Sequence, residues 1–186
     1  MRIIVADSET DGLAYECTKV HVMSWTDTCE YCNGSGKQEV SLGWGFDDSP
    51  PEPEWETCEE CAGDGIQIQS TNDYQTMRDV IASADLLVMH NAVMHDMVVF
   101  NRLLGIPLDY KKYIDTLWVS RYLYPDRASH GLDAIGKEHG VKKPEVDNWE
   151  NLSYEEYAHR CVEDVKINWL EWLKQKKRLE EIYGNS

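Results

Sequence analysis

Four carboxylates stand apart from the other acidic residues of this 186-residue chain by the places they occupy. Asp7 and Glu9 sit at the end of Arg2-Ile-Ile-Val-Ala-Asp7, a short, β-branched, apolar run that reads as a buried strand. Alternate residues of an extended chain project to the same side, so the two acids share one side of the strand end. Acids so placed repel each other unless a cation neutralises them. Asp-x-Glu is common at strand ends, where solvation usually suffices, but two further acids sharpen the pattern. Asp96 falls on the first turn of a helix behind His90-Asn91, and Asp164 lies among apolar residues in Cys161-Val-Glu-Asp-Val165. Four carboxylates delivered from three stretches of chain can surround two divalent ions about 3.5–4 Å apart. Their hard oxygens favour Mg²⁺ or Mn²⁺ over zinc.

A second constellation is made of sulfur. Four of the six cysteines form two pairs, Cys29-Glu-Tyr-Cys32-Asn-Gly-Ser-Gly and Cys58-Glu-Glu-Cys61-Ala-Gly-Asp-Gly, each a C-x-x-C followed by x-G-x-G. Two intervening residues let both sulfurs of a pair reach one tetrahedral ion at about 2.3 Å. The glycines let the chain turn tightly enough for backbone N–H groups to face the sulfurs. The octad resembles the zinc knuckles of DnaJ-type chaperones, although that family carries four repeats where this chain has two, so the chaperone function does not transfer. Disulfides or free thiols are the alternatives, the former disfavoured in a cytoplasmic protein. One Zn²⁺ held by Cys29, Cys32, Cys58 and Cys61 leaves no open coordination position, which implies a structural role. Gly43 to Trp55, between the knuckles, is too rich in Pro and Gly for regular structure. Cys17 and Cys161 read as ordinary core thiols.

The elements that must position these groups follow from periodicity. Val20 to Trp25 alternates and reads as a second strand, and Gly65 to Gln69 as a third. The cysteine segment, 26–65, therefore interrupts one domain between its second and third strands and extends the tip of a hairpin. Asn72 caps a helix whose apolar positions are Tyr74, Met77, Ile81 and Ala84. Asp85 to His90 is a fourth strand. A helix runs from about Val93 to Leu104 and ends at Gly105 and Pro107. Ser129 opens another, stopped near Gly140, and a last helix carries Ala158, Val162, Val165, Trp169 and Trp172. Strands in a meander followed by alternating helices and strands define an α/β class, a mixed sheet with helices packed on it.

Composition constrains the partners. Hydrophobic residues make up 42% and charged residues 28%, as in a soluble globular protein. No apolar run approaches the roughly 20 residues of a membrane span, and the early acids of the N-terminus suit a cytoplasmic address rather than a secretory leader. The net charge of −16, from 34 acidic and 18 basic residues, argues against a nucleic-acid binder. That charge is unevenly spread: residues 27–64 hold eleven acids and one base, leaving 23 acids and 17 bases elsewhere. The acidity marks the cysteine segment, an arm expected to face away from any polyanion.

Three stretches together resemble a known superfamily. Asp7-Ser-Glu-Thr-Asp-Gly-Leu13, His90-Asn-Ala-Val-Met-His-Asp96 and His159-Arg-Cys-Val-Glu-Asp164 are similar to the three motifs of the DEDD (DnaQ-like) 3′–5′ exonucleases. Ile114 to Tyr124 and Ser129 to Gly136 further resemble the proofreading domain of family A phage replicative DNA polymerases. The resemblance spans nearly the whole chain except the cysteine segment. It implies a ribonuclease H-like fold, with three antiparallel strands followed by parallel ones, and Asp7, Glu9, Asp96 and Asp164 as ligands of two Mg²⁺ or Mn²⁺. It also implies release of nucleoside 5′-monophosphates from a single-stranded or frayed 3′ end. His159, five residues before Asp164, has the spacing of the superfamily's histidine form and is the expected general base; the tyrosine form would need Tyr where Arg160 stands.

Other polar residues carry two readings each. Asn91 either hydrogen-bonds the substrate end or Asp7, or caps a helix. Asp115 either supports the site from behind or closes a turn with Thr116. His95 is placed to stack on a terminal base, and Arg121 and Arg127 to meet phosphates, against a solvated-surface reading. His21, His130 and His139 lack metal spacing. The leading expectation is a DNA exonuclease, a stand-alone proofreading subunit beside a separate DNA polymerase. Its rivals are an RNA exonuclease of the same fold and a catalytically weak adaptor acting through the zinc knuckles.

Overall fold

The computed structural model describes residues 1–40, 54–144 and 152–184. Five strands form one sheet in the order β5-β2-β1-β6-β7, with β1 Ile3–Thr10, β2 Val20–Thr28, β5 Ile66–Thr71, β6 Leu86–Met89 and β7 Tyr113–Asp115. β1 runs antiparallel to β2 and parallel to β6, and β6 runs parallel to β7, so the sheet is mixed as its sequence pattern implies. The chain divides into two compact units, one of Met1–Trp25 with Ile68–Ser186 and one of Thr26–Gln67.

The pleat sorts β1 into two faces. Ile4 and Ala6 join the main core with Leu87, Met89, Met77, Ile81, Met97 and Phe100, on the side of α1 (Tyr74–Ser83) and α2 (Asp96–Val99). Val5 and Val88, between those residues, pack with Trp172 of the long helix α5 (Tyr154–Tyr183) on the other face. Period-2 alternation therefore carries Asp7 and Glu9 to the α5 side and Ser8 to the α2 side. The pairing register shifts between Glu9 and Thr10, a bulge at the strand end. Such irregularities re-aim the side chains beside them.

Several boundaries differ from expectation. The cap of α1 is Asp73 rather than Asn72, because the Asp73 carboxylate accepts from the Thr76 N–H at 2.7 Å. The stretch after His90 is not helical until Asp96, and α2 passes directly into a π-helical turn, Phe100–Leu104, closed by Gly105 at φ 70°. β7 and the following α3 (Thr116–Leu123) had no periodic signal of their own, since a three-residue strand is too short to alternate visibly. The helix expected from Ser129 begins at Leu132, giving α4 (Leu132–His139). Between the knuckles, β3 (Lys37–Val40) pairs antiparallel with β4 (Glu54–Thr57), so Trp55 belongs to a strand; residues 43–53 of that stretch lie outside the described residues.

α4 reaches α5 through a glycine. A Cβ on Gly136 would stand 2.7 Å from the Val141 carbonyl oxygen and 2.8 Å from Ile167 Cδ1, far inside contact distance. Alanine ordinarily stabilises a helix interior by up to about 1 kcal/mol over glycine. Here overpacking wins: Gly136→Ala should lower stability by about 1–3 kcal/mol, measured by denaturant unfolding, and an unchanged midpoint would show that α4 yields freely.

Candidate active site

The sheet and α5 bring three of the expected acids together. Single carboxylate oxygens of Asp7, Glu9 and Asp164 all lie within 4.8 Å of one another. Asp7 and Glu9 come from the α5-facing side of β1; Asp164 comes from the stripe of α5 that also buries Tyr157, Cys161, Val165 and Asn168. Asp96 is buried at the start of α2 and lies outside that trio. Its Oδ1 accepts a 2.6 Å bond from the Ser8 hydroxyl, on the opposite side of β1. Its charge still reaches Asp7.

Burial makes this gathering costly. Desolvation, with the charges of Asp164, Asp96 and Glu9, pushes the Asp7 carboxyl well above its ordinary range. Glu9 is raised to about 7 by desolvation, although Arg160 pulls the other way. Asp96 and Asp164 are raised by burial as well. One oxygen of Asp164, Oδ1, is buried without a hydrogen-bond partner among the described residues. An acid trio with a buried, unpartnered carboxylate oxygen has the donor chemistry of a hard divalent cation site.

Two cations already contact the cluster. Lys143 sets Nζ 2.7 Å from Asp164 Oδ2, and Arg160 sets Nε 3.1 Å from Glu9 Oε1. The buried Cys161 thiol donates to the Asp7 backbone carbonyl at 3.3 Å. The sequence reading missed all three. Arg160 and Cys161 lie four and three residues before Asp164, a helical spacing that signals a shared face; Lys143 sits in a connection whose path no periodicity reveals.

His159 is not brought to the acids. α5 is already helical from Tyr154, so a spacing of five residues turns His159 about 140° around the axis from Asp164, whereas Arg160 lies only about 40° away. His159 is exposed. The substrate-binding candidates also separate. Asn91 adopts φ 64° in a turn whose backbone is clamped by Asp115: the Asn91 and Val93 N–H groups both donate to its carboxylate at 3.0 Å. Asp115 also caps α3 through the Leu117 N–H, so it positions the loop that delivers His95 and Asp96. His95 is half-buried, its Nε2 3.2 Å from the Thr10 hydroxyl. Arg121 is exposed over the Trp118 ring. Arg127 is committed elsewhere: its guanidinium donates to Glu171, Glu138 and Ser120, and its side chain is only 8% exposed, which corrects its assignment to phosphate contact.

In the second unit the four cysteines converge within one compact cluster. Their ligand atoms lie within 4.8 Å of one another, with Cys29–Cys58 and Cys32–Cys61 sulfur separations of 3.9 and 3.7 Å. A tetrahedron with metal–sulfur bonds of about 2.3 Å has edges of about 3.8 Å. The two knuckles mirror each other: Gly36 N–H donates to Cys32 Sγ and Gly65 N–H to Cys61 Sγ, both at 3.3 Å. Cys29 N–H donates to the Gly65 carbonyl and Cys58 N–H to that of Gly36. A Cβ on Gly36 would collide with the Gly63 carbonyl, and one on Gly65 with that of Gly34, so these glycines are required by close approach. The arrangement fits one structural zinc.

Solved structures share this fold. Brucella melitensis NrnC aligns with 100% of the chain and 77% of its own length, at 15% identity and a TM-score of 0.56. The apo form of a nuclease aligns with 98% of the chain and 75% of its own, at 15% identity and 0.55. NrnC with bound Mg²⁺ covers 96% and 75%, at 16% identity and 0.52. No protein-family model and no curated protein matches the chain. The class defined by sheet and helices is the ribonuclease H-like α/β fold. No helix among the described residues is long and apolar enough to cross a membrane.

Two measurements check these sites. An acid whose folded pKa is raised binds its proton more tightly in the folded state, so its contribution to stability falls as pH rises from the unfolded value toward the folded one. For Glu9 that window runs from 4.5 to about 7. In chelator, Glu9→Gln should therefore stabilise the protein at pH 8, on the order of 1–3 kcal/mol, and leave it nearly unchanged at pH 4; a destabilised variant at pH 8 would contradict the charge balance described. Elemental analysis of protein purified under reducing conditions should find one zinc per chain, lost in Cys58→Ser with Cys61→Ser, and zinc-free folded protein would refute the tetrahedral reading.

Proposed function

We propose that this chain is a metal-dependent 3′–5′ exonuclease that removes nucleoside 5′-monophosphates from the 3′ end of single-stranded DNA. The observation that carries the proposal is the buried trio Asp7, Glu9 and Asp164, its oxygens within 4.8 Å, in a fold similar to that of an Mg²⁺-bound protein. Asp7, Glu9 and Asp164 would hold the metal ions, with Asp96 completing the set from α2. When bound, two Mg²⁺ or Mn²⁺ ions acidify a water and stabilise the leaving 3′ oxygen of an in-line displacement.

The chain's own residues supply the setting. Ser8 orients Asp96 through its 2.6 Å hydrogen bond, and Asp115 fixes the loop that carries it. His95, beside Asp96 and with its Nε2 3.2 Å from the Thr10 hydroxyl, would stack on the terminal base. Asn91 remains a candidate for the strand end, and Arg121 for a phosphate farther along it. A structural zinc on Cys29, Cys32, Cys58 and Cys61 would staple the second unit. The preference for DNA over RNA, and work beside a separate DNA polymerase, are supported only by the likeness of Ile114 to Tyr124 and Ser129 to Gly136 to polymerase proofreading domains; the adaptor reading requires that the acids be idle.

His159 enters as proton acceptor by spacing alone. General-base catalysis contributes about 10²–10⁴-fold. From its exposed position on α5 we expect His159→Gln to change the rate by no more than about threefold, leaving the proton to solvent; a loss above about 100-fold would restore the histidine to the role.

The experiment uses purified protein, Mn²⁺, and matched DNA and RNA oligonucleotides labelled at the 5′ end. Wild type should give a ladder shortening from the 3′ end, faster on DNA, and Asp7→Asn should lose at least about 100-fold. Faster RNA cleavage would overturn the DNA assignment, and an Asp7→Asn rate equal to wild type would overturn the nuclease.

A further inference from the structure

The two cations at the acid cluster are not surface ion pairs. The Lys143 and Asp164 side chains are 15% and 7% exposed, and those of Arg160 and Glu9 are 16% and 14%. Each cation sits on a carboxylate that belongs to the trio, so each neutralises an oxygen-rich pocket whose members otherwise repel. A divalent ion bound to the same three acids would stand within a few ångströms of the ammonium and guanidinium groups. Like charges at that distance in a partly desolvated site repel strongly. Cation and metal therefore compete for one set of oxygens.

Lys143 has an alternative place to go. It lines a cavity of about 220 Å³ together with Asp133, Lys137, Gly140, Val141 and Lys142. Three lysines against one aspartate make the cavity cationic, and Asp133 is already engaged by Lys137 at 2.7 Å. A phosphodiester, a tetrahedral group with one negative charge over two non-bridging oxygens, suits a cavity lined by three lysines. Arg160, by contrast, is anchored: a terminal nitrogen donates to the Pro144 carbonyl at 3.0 Å.

We propose that Lys143 is a tethered counter-ion that exchanges partners, holding Asp164 until divalent ions take the acid cluster and then binding a backbone phosphate of the strand in the adjoining cavity. Arg160 is the second counter-ion of the same cluster and keeps Glu9 neutralised. This rests on the acid trio being a divalent metal site. The exchange couples the two ligands: metal occupancy releases the ammonium for the strand, and a phosphate that captures the ammonium eases metal entry.

The test reads binding, not turnover. Mn²⁺ affinity is measured by titration calorimetry at pH 7.5 for wild type, Lys143→Met and Lys142→Met. Affinity for a fluorescein-labelled dT oligonucleotide is measured with Ca²⁺ in place of Mn²⁺. Lys143→Met should bind Mn²⁺ at least about fivefold tighter and the oligonucleotide at least about fivefold weaker, with a salt slope reduced by about 1. Lys142→Met, which removes a charge from the same cavity and keeps the Lys143–Asp164 pair, should leave Mn²⁺ affinity within about twofold. Equal or weaker Mn²⁺ binding by Lys143→Met, or unchanged oligonucleotide binding, overturns the exchange while leaving the nuclease reading intact. Wild type that binds no Mn²⁺ overturns the metal site itself and this inference with it. If Lys143→Met does not fold by circular dichroism, Arg160→Gln carries the Mn²⁺ measurement with the same expected direction.

Discussion

Carboxylates held a few ångströms apart and out of water repel one another, and the architecture around β1 is organised to sustain that repulsion. Asp7 and Glu9 cannot separate, because the pleat sends both to the α5 face, and Asp164 cannot retreat, because its turn of α5 is pinned by Cys161 and Val165 below it. The raised pKa of Glu9, about 7, is the visible cost. Lys143 and Arg160 offset part of it from outside the strand. Hard divalent cations are the partners that oxygens so gathered select.

A second buried polar network holds the frame from below. Glu171 of α5 is fully buried, yet hydrogen bonds from Arg127, His139 and Gln175 outweigh the cost of its burial and keep its carboxyl below the ordinary range. Arg127 bridges to Glu138 of α4, and Gln175 donates to the Thr116 carbonyl at the start of α3. Thr116 in turn donates to Asn168 at 2.6 Å. These bonds tie α3 and α4 to α5 through satisfied polar groups, which specify one arrangement where apolar packing tolerates several. They explain why α5 carries Asn168, Glu171 and Gln175 on its buried stripe, and why Arg127 is unavailable to a ligand.

Much of this was legible beforehand, for local reasons. Alternation along β1 puts Asp7 and Glu9 on one side, because that period is enforced by backbone geometry; the stripe expected for α5, Ala158 to Trp172, does not contain Asp164, which the structure buries one position before Val165. The doubled C-x-x-C-x-G-x-G spacing likewise determines where four sulfurs can go. The spacing of His159 to Asp164 does not by itself determine direction: that depends on whether the intervening residues are helical, and Ser153 starts α5 with a capping box well before them. Lys143 was invisible because it arrives through an irregular connection. Arg121 and Arg127 looked alike as isolated cations; only the tertiary position of Glu171 separates them. The charge of −16 also changed meaning, since four acids belong to the proposed metal site and eleven to the segment around the cysteines.

The most direct test of the account is where a metal binds. Crystals grown with Mn²⁺ and measured at the manganese edge should give anomalous density bonded at about 2.1 Å to oxygens of Asp7, Glu9 and Asp164, with Lys143 Nζ displaced from Asp164. Manganese elsewhere on the protein, with the Lys143–Asp164 pair intact at saturating metal, would contradict it.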